Sequence, residues 1–417
     1  MKFKFLHAAD LHLDSPLLGL AGKSADYAER IHRASREAFE ALVTYAIGES
    51  CQFVLFAGDV FDGELRNFET GLFFVEQMRV LDEAGIKVFI ILGNHDAENR
   101  FAGKLAFSQN VHVFASRQAE TRVLEELGVA IHGRSFPQRD VLDNIARAYP
   151  PPSQGMLNIG VLHTACQGSE GHAAYAPCTV EQLVNHGYDY WALGHVHARA
   201  VLHEEPYIIY PGNLQGRHAR ETGAKGATII SVEDGGIVEV KALELDVVRW
   251  TLLEVDVDNA KSRDGLLQKI RERIVDAAAD AGDRALAIRL HLVGVTSQHH
   301  QLIVDTPILR EEVDILLATL PGDIWLEKLI LKTRAPALAE NVDPTVAGKI
   351  AANIAAPETD ALLTQLIDAA IIEVRSKMPS GAHAEEFFET LRSEMPERAR
   401  SFAMSLLTDA EAQDAAE

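Results

Sequence analysis

Short apolar runs alternate with amphipathic stretches along the first half of the chain. Five runs have the length and continuity of buried parallel strands: Phe3–Ala8, Phe53–Ala57, Val88–Leu92, Leu157–Leu162 and Tyr190–Leu193. Between them, apolar residues recur every three or four positions, which predicts helices over Asp26–Ile47, Phe68–Ala84 and Val180–Asn185. This alternation predicts an α/β fold built from crossover units.

The pattern changes after residue 197. Short segments rich in β-branched and aromatic residues follow one another between glycine and proline turns, and we expect them to form a meander. They are Ala200–Glu204, Tyr207–Tyr210, Thr228–Val232 and Ile237–Leu245. Together with the alternating strands and helices that precede it, this stretch predicts a first domain over residues 1–248.

Two further regions follow the first domain. Residues 249–335 predict a small α+β domain, because strand and helix patterns alternate in them: Thr251–Val257, Gly265–Ala281, Leu286–Val293, Leu309–Leu320 and Ile324–Lys332. Residues 336–417 begin with a linker, Pro336–Pro344, and continue as a helical pattern. This pattern is interrupted at three points: Pro357, Pro379-Ser380-Gly381 and Pro396.

One helical stretch of the last region carries a wide apolar face. Its apolar residues recur at i, i+3 and i+4: Leu362, Leu363, Leu366, Ile367, Ala370, Ile371 and Val374. A short terminal segment buries such a face poorly by itself. Two interpretations stay open at this point, because the face could fold back on its own protein or bind a partner.

Clusters of Asp, Asn and His follow directly after the five predicted strands. They are Asp10-Leu11-His12, Gly58-Asp59-Val60-Phe61-Asp62, Gly93-Asn94-His95-Asp96, His163 and Gly194-His195-Val196-His197. The carboxyl ends of the strands of an open α/β sheet share one edge, where such folds place their sites. One cluster alone would be typical of a polar turn, but five in this position indicate a single functional site.

The donors in these clusters are carboxylates, an amide and imidazoles, a mixed oxygen and nitrogen set that suits divalent ions. Because the candidate ligands are too many for one ion, we expect two. A carboxylate such as Asp59 can bridge two ions about 3.5–4 Å apart, as in two-metal hydrolysis sites. We expect Mn²⁺, with Fe²⁺, Zn²⁺ and Mg²⁺ as alternatives.

Composition narrows the class of protein. The 417 residues suggest two or three domains, and 47% hydrophobic residues provide ample material for a core. A net charge of −22 argues against binding nucleic acid by bulk electrostatics alone. We expect a cytoplasmic protein without a membrane span, since apolar runs are short and the 3 cysteines form no disulfide framework or CxxC pair.

The ordered motifs D-x-H, G-D-x-x-D, G-N-H-D, a lone His and G-H-x-H resemble those of the calcineurin-like metallophosphoesterase superfamily. That resemblance implies a metallophosphoesterase α/β sandwich and a specific assignment of roles. It assigns one ion to Asp10, His12, Asp59 and His197, and the other to Asp59, Asn94, His163 and His195. It makes His95 the catalytic histidine, held by Asp62. The roles of Asp14 and Asp96 stay open between partners of the ligands and simple turn residues.

Phe56–Asp62, Gly194–His197 and Tyr210-Pro211-Gly212-Asn213 further resemble bacterial SbcD-type DNA repair nucleases. These nucleases act with an SMC-like (SbcC-like) coiled-coil ATPase. The resemblance implies that residues 249–335 are a capping domain with possible DNA contact and that the C-terminal helical segment docks on the ATPase. It also implies a possible homodimer. Residues 210–218 are more polar and basic than in the usual loop, so Arg217 and His218 could contact DNA phosphates or be solvated.

Three functions remain from different classes. The first is a metal-dependent DNA exo/endonuclease acting in end processing and repair. The second is a phosphatase or phosphodiesterase acting on a small molecule or phosphoprotein, which would need neither the α+β region nor the apolar helix. The third is a non-catalytic DNA end-binding subunit, against which the intact pair His95 and Asp62 argues. We therefore expect the nuclease.

Overall fold

A computed structural model describes residues 1–15, 25–62, 68–97, 105–166, 175–258, 260, 262–335, 346–354, 356–375 and 382–414. The chain divides into two compact units. The first contains Met1–Thr251 and Asp283–Ala287, and the second contains Leu252–Gly282 and Ile288–Glu417. No helix among the described residues is long and apolar enough to cross a membrane.

Within the described residues, the strands of the first unit form two six-stranded sheets. The first sheet has the order β12-β11-β1-β2-β3-β4, where β1 is Lys2–Ala8, β2 Phe53–Ala57, β3 Lys87–Ile91, β4 Val111–Val113, β11 Gly226–Glu233 and β12 Gly236–Glu244. The second has the order β5-β6-β7-β8-β10-β9, where β5 is Glu120–Leu124, β6 Val129–Gly133, β7 Leu157–His163, β8 Tyr190–Gly194, β9 Ala200–Glu204 and β10 Tyr207–Tyr210.

Parallel strands form the centre of each sheet. In the first sheet β1, β2, β3 and β4 run parallel, and the antiparallel hairpin β11–β12 adds beside β1. In the second sheet β6, β7, β8 and β10 run parallel, with β5 and β9 as antiparallel edge strands. The helices of this unit are α1 Ala25–Gly48, α2 Phe68–Glu83, α3 Asn94–Ala97 and α4 Val180–His186, with a 3₁₀ turn at Ile145–Ala148.

The two sheets pack face to face between outer helices. In β2, Val54 and Phe56 join the core that contains residues of α1 and α2, whereas Phe53 and Leu55 point into the core between the sheets. Trp191 of β8 belongs to a third core on the outer face of the second sheet, beside α4 and the 3₁₀ turn. Side chains of a strand alternate between its faces, so one apolar run supplies two cores. The predicted α/β sandwich is confirmed.

A buried histidine joins the two sheets close to the polar clusters. The Nε2–H of His7 in β1 donates to the carbonyl of Leu193 in β8 at 3.1 Å, and Nδ1 accepts from the hydroxyl of Tyr190 at 3.0 Å. Burial lowers the pKa of His7 to about 3, so the ring stays neutral. The bonds fix the ends of β1 and β8 relative to each other.

Two predictions about strand arrangement are wrong. The five ligand-bearing strands do not share one sheet, because β1, β2 and β3 lie in the first sheet and β7 and β8 in the second. The segments after residue 197 do not form one meander, because β10 pairs with β8 whereas β11 pairs with β1. Both outcomes depend on pairing between distant residues, which the local pattern does not contain.

The second unit contains most of a three-stranded sheet of order β13-β14-β15 and the remaining helices. The strands are β13 Val248–Asp256, β14 Ala285–Val295 and β15 Ile324–Arg334, and the helices are α5 Arg263–Ala281, α6 His299–Val304, α7 Thr306–Ala318, α8 Val346–Ile354, α9 Pro357–Arg375 and α10 Ala382–Asp414. The predicted break at Pro396 is wrong, because Pro396 lies inside α10. Proline removes one backbone hydrogen bond from a helix, and α10 contains it while packing against α6, α8 and α9. Pro336–Pro344 and Pro379-Ser380-Gly381 lie outside the described residues.

Candidate metal centre

Several residues of the polar clusters have a left-handed backbone conformation just after their strands end. Asp10, His12, Asp59 and His195 have φ of 52°, 41°, 53° and 106°, although none is glycine. Such conformations are uncommon for residues with a Cβ and concentrate at functional sites. The backbone N–H groups of Asp10 and His12 donate to the carbonyls of Gly58 and Asp59, at 3.0 Å each. Neighbouring strand ends therefore hold each other in these turns.

The two sheets approach each other closely at this edge. A Cβ at Gly194 would lie 1.9 Å from the carbonyl oxygen of Ala57, which is part of β2. A Cβ at Gly93 would lie 2.2 Å from Oδ1 of Asp59. The backbone N–H of His195 donates to both carboxylate oxygens of Asp10, at 3.1 and 3.0 Å. Only glycine permits these approaches: Gly194 allows the second sheet to approach the first, and Gly93 allows the loops after β2 and β3 to meet.

The predicted ligands meet in one buried cluster. Among the described residues, three groups have ligand atoms within 4.8 Å of one another: Asp10–His12–His197, Asp10–Asp59–His163 and His12–Asp62–His95. Nε2 of His12 lies 3.8 Å from Oδ2 of Asp59, and Nε2 of His163 lies 3.5 Å from the same oxygen. One oxygen of Asp59 therefore lies near both histidines, and Asp10 belongs to two of the groups. The remaining two predicted ligands adjoin His163, since Oδ1 of Asn94 is 3.0 Å from its Nε2 and the ring of His195 is 5.2 Å from its ring.

The donor atoms of this cluster fit cations. The Nδ1–H of His163 donates to the carbonyl of Ala57 at 2.9 Å, and its Nε2 faces the oxygens of Asn94 and Asp59. Nε2 of His12 and Nε2 of His197 face each other at 3.2 Å. Buried carboxylates are costly unless a positive charge lies near them, and a metal ion would supply that charge. The set fits divalent metal ions, as the sequence predicted.

The protonation of two members agrees with this interpretation. Burial lowers the pKa of His12 to about 4, which keeps the ring in the neutral form that binds metals. Burial alone would raise the pKa of Asp59, but the adjacent His163 outweighs it and lowers that pKa well below its usual range. Asp59 is therefore charged in the folded protein.

His95 and Asp62 form a pair beside the cluster. Nδ1 of His95 lies 2.9 Å from Oδ1 of Asp62, and the His95 side chain is 32% exposed. The hydrogen bond to Asp62 raises the pKa of His95, which favours the protonated ring. The backbone N–H of His95 donates to Oδ1 of Asp59 at 3.0 Å. The ring that can donate a proton is therefore fixed next to the candidate metal ligands and remains accessible.

Asp96 and Asp14, whose roles the sequence left open, hold backbone and side chains near the cluster. The buried Asp96 accepts from the backbone N–H groups of Val60, Phe61 and Gly93, at 3.1, 2.9 and 3.1 Å. It thereby joins the Gly58–Asp62 and Gly93–Asp96 loops. Asp14 accepts from the guanidinium of Arg36, with Nε 2.8 Å from Oδ1. Neither carboxylate belongs to the two ligand groups around Asp10.

Of the two predicted substrate contacts, one lies against the cluster. Arg217 is 22% exposed, and its guanidinium lies 3.7 Å from Asp62 and 3.5 Å from Nδ1 of His197. His218 is half exposed and approaches Glu221 at 3.6 Å. The basic loop that the sequence indicated therefore places Arg217 at the rim of the cluster and His218 further out towards solvent.

Two residues that sequence reasoning missed contact His197. Oε1 of Glu221 accepts from Nδ1 of His197 at 2.7 Å. The ammonium of the buried Lys225 donates to the backbone carbonyl of His197 at 2.8 Å. Neither residue belongs to a motif or follows a predicted strand, so the pattern gave no signal for them.

Two family models match this chain. The model of calcineurin-like phosphoesterases matches residues 3–199. A second model, described as the middle domain of the metallophosphoesterase YhaO, matches residues 250–334. The first match contains every residue of the candidate metal centre and the second lies entirely beyond it.

Curated relatives extend the similarity. The uncharacterized metallophosphoesterase YhaO of Bacillus subtilis is 35% identical over 82% of this chain and 85% of its own length. Two proteins called DNA double-strand break repair protein Mre11 are also similar. That of Methanopyrus kandleri is 24% identical over 75% of this chain and 72% of its own length. That of Sulfurisphaera tokodaii is 21% identical over 79% of this chain and 87% of its own length.

One solved structure is also similar, a dimetal phosphatase from Danio rerio. Its sequence is 14% identical, the TM-score is 0.35, and the match covers 57% of this chain and 98% of the phosphatase chain. The similarity to YhaO is strong enough to place the chain in a family, and it agrees with the phosphoesterase model and the buried cluster. The chain therefore belongs to the calcineurin-like metallophosphoesterases.

Proposed function

We propose that the protein is a two-metal-dependent DNA exo/endonuclease that hydrolyses phosphodiester bonds in DNA end processing and repair. The observation that carries this proposal is the extent of the similarity to the two Mre11 proteins. It covers 75% and 79% of this chain, whereas the phosphoesterase model ends at residue 199. The similarity to proteins named for DNA break repair therefore extends beyond residues 3–199, which the phosphoesterase model matches.

In this proposal seven side chains hold two divalent ions, with Mn²⁺ as the expected metal. Asp10, His12, Asp59 and His197 would bind one ion; Asp59, Asn94, His163 and His195 would bind the other. The proximity of Asp59 to both His12 and His163 supports its place between them. When bound, such ions neutralise the charge of a phosphodiester and lower the pKa of a water molecule.

The remaining chemistry belongs to the chain itself. His95 would donate a proton to the leaving oxygen, and Asp62 would hold the ring at Nδ1 so that Nε2 faces the substrate. Arg217 would contact a phosphate of the DNA, because its guanidinium lies beside Asp62 at the rim of the cluster. His218, half exposed in the same loop, would make a second contact further out.

Residues outside the phosphoesterase region would serve the partners. We propose that residues 249–335 are a capping domain that contacts DNA and that α9 docks on an SMC-like coiled-coil ATPase. The exposed fractions of Leu362, Leu366 and Val374, 57, 59 and 47%, support an interface on α9. Dimerisation of the chain belongs to the same proposal.

The test is hydrolysis by the purified full chain with Mn²⁺. Labelled double- and single-stranded DNA are compared with bis-p-nitrophenyl phosphate, a small diester, and p-nitrophenyl phosphate, a monoester. We expect cleavage of DNA and of the diester, both abolished in Asp59→Ala and unchanged in Asp140→Ala, which alters an exposed loop carboxylate. Efficient monoester hydrolysis without DNA cleavage would overturn the nuclease proposal in favour of a phosphatase. If the parent chain hydrolysed none of these substrates, the nuclease proposal would be overturned in favour of a non-catalytic DNA end-binding subunit.

A further inference from the structure

We propose that Glu221 is a positioning residue that fixes His197 as a metal ligand and ties the Arg217 loop to the same point. This inference rests on the two-metal centre of the proposed function and adds a residue that no motif indicates. Its basis is the set of hydrogen bonds that converge on one buried carboxylate, 8% exposed at its side chain.

The bond to His197 determines which nitrogen of that ring is available. A carboxylate oxygen only accepts, so the contact of 2.7 Å between Oε1 of Glu221 and Nδ1 of His197 requires a proton on Nδ1. Nε2 of the neutral ring then carries its lone pair, and it is this atom that lies 3.2 Å from Nε2 of His12. Glu221 therefore fixes both the tautomer and the direction of a ring that faces the candidate site.

The other carboxylate oxygen organises the loop before it. Oε2 of Glu221 accepts from the side-chain amide of Asn213 at 2.8 Å and from the backbone N–H of Arg217 at 2.7 Å. Nε of Arg217 lies 3.6 Å from Oε1 of the same carboxylate. The position of the proposed phosphate contact and the orientation of the proposed metal ligand thus depend on one side chain. A glutamine has one acceptor oxygen and could not keep all of these bonds.

The geometry distinguishes this role from general packing. Glu221 reaches the cluster through His197 and the Arg217 loop, and it is absent from the groups of side chains that could hold an ion. Partners of this kind on a metal-binding histidine change metal affinity by about 10–100-fold when removed. The expected effect of substitution is therefore a weakened site next to His197, with the other site retained.

The experiment is a titration of the metal-free full chain with Mn²⁺. Calorimetry measures the affinity, and metal analysis after desalting counts the bound ions. The parent should bind two ions. Glu221→Gln should keep one ion at parental affinity and bind the second about 10–100-fold more weakly. Glu204→Gln, the same chemical change on the exposed end of β9, should match the parent. Glu221→Asp, which keeps the charge but shortens the reach, should fall between them and provides the test if Glu221→Gln does not fold.

A double-mutant cycle separates positioning from structure. If Glu221 acts through His197, then Glu221→Gln should change Mn²⁺ affinity less than about threefold in a chain that already carries His197→Ala. A full additional loss in that background, or two ions bound at parental affinity by both Glu221 variants, would overturn the inference. Because the titration contains no DNA, failure of the nuclease proposal would leave these results unchanged. A parent chain that bound fewer than two ions would instead refute the metal centre itself.

Discussion

At the scale of single residues, the partly exposed ring of His95 differs from the proposed metal ligands. The backbone N–H of His95 donates to Asp59, and its partly exposed ring bonds to Asp62 and lies 4.9 Å from the ring of His12. Six of the seven proposed ligands are buried, with His12 and His163 almost without solvent contact, and His197 is partly buried. Removing the ring of His95 should therefore affect chemistry without removing a ligand.

The substitution His95→Ala tests this separation. It should leave two bound ions per chain and reduce the rate of diester hydrolysis on the order of 10²–10⁴-fold, the usual contribution of a positioned acid. His203→Ala, in edge strand β9, is the matched control and should retain parental activity. Metal analysis and initial rates measure the two effects. A rate within about threefold of the parent would remove His95 from the mechanism.

Short sequence motifs identified the predicted ligands but not Glu221, which contacts one of them. Each predicted ligand follows an apolar run, and all but the lone His163 belong to a short motif; the structure brings all seven together. Glu221 was not identifiable. It is one of many acidic residues in the chain and lies 24 residues after His197, in a loop without periodicity. Its proximity arises only when the loop folds back on the strand ends.

At the scale of elements, the cluster depends on how closely the ends of β2 and β8 meet. Gly194 ends β8, and its missing side chain leaves room for the carbonyl of Ala57. A methyl group there would have to displace backbone rather than a flexible side chain. The shift would move His195 and His197 away from Asp59, which follows β2.

We therefore expect Gly194→Ala to lower the free energy of unfolding by about 1–3 kcal/mol, as overpacking does, and to reduce metal content. Gly48→Ala is a suitable control, because a Cβ at Gly48 meets nothing within 4 Å and α1 ends there. Denaturant unfolding and metal analysis report the two effects. Parental stability together with two bound ions would show that the close approach of β8 to β2 is not required.

Five strands were predictable because they are buried and read as continuous apolar runs: β1, β2, β3, β7 and β8. The strand β6 is also buried at every position, but it was not predicted. Sheet membership was not predictable, because the pairing of β1 with β11 joins residues more than 200 positions apart. The strand β5 was missed for a local reason. Only Leu124 of its five residues is buried, so its sequence lacks the alternation that marks a strand.

At the scale of the whole molecule, the proposed partnership with an ATPase depends on α9. One side of this helix is occupied, since Ile371 is 6% exposed and α9 contacts α10. Leu362 and Leu366 expose more than half of their side chains, which is unusual for adjacent large apolar residues unless a partner covers them.

The substitution Leu366→Glu should therefore abolish co-purification with an SMC-like coiled-coil ATPase of the same organism and leave hydrolysis of a small diester unchanged, because every proposed ligand lies before residue 200. Gln365→Glu introduces the same side chain at the neighbouring exposed position and should retain the partner. Undiminished recovery of the ATPase with Leu366→Glu would reassign this face to packing within the chain.

We propose that two divalent ions bind between the two sheets and share Asp59. Anomalous diffraction from crystals of the full chain grown with Mn²⁺ would locate these ions. We predict two peaks about 3.5–4 Å apart, one beside Asp10, His12 and His197 and the other beside Asn94, His163 and His195, with both lost in Asp59→Ala. A single peak, or two peaks that persist without the Asp59 carboxylate, would contradict the account.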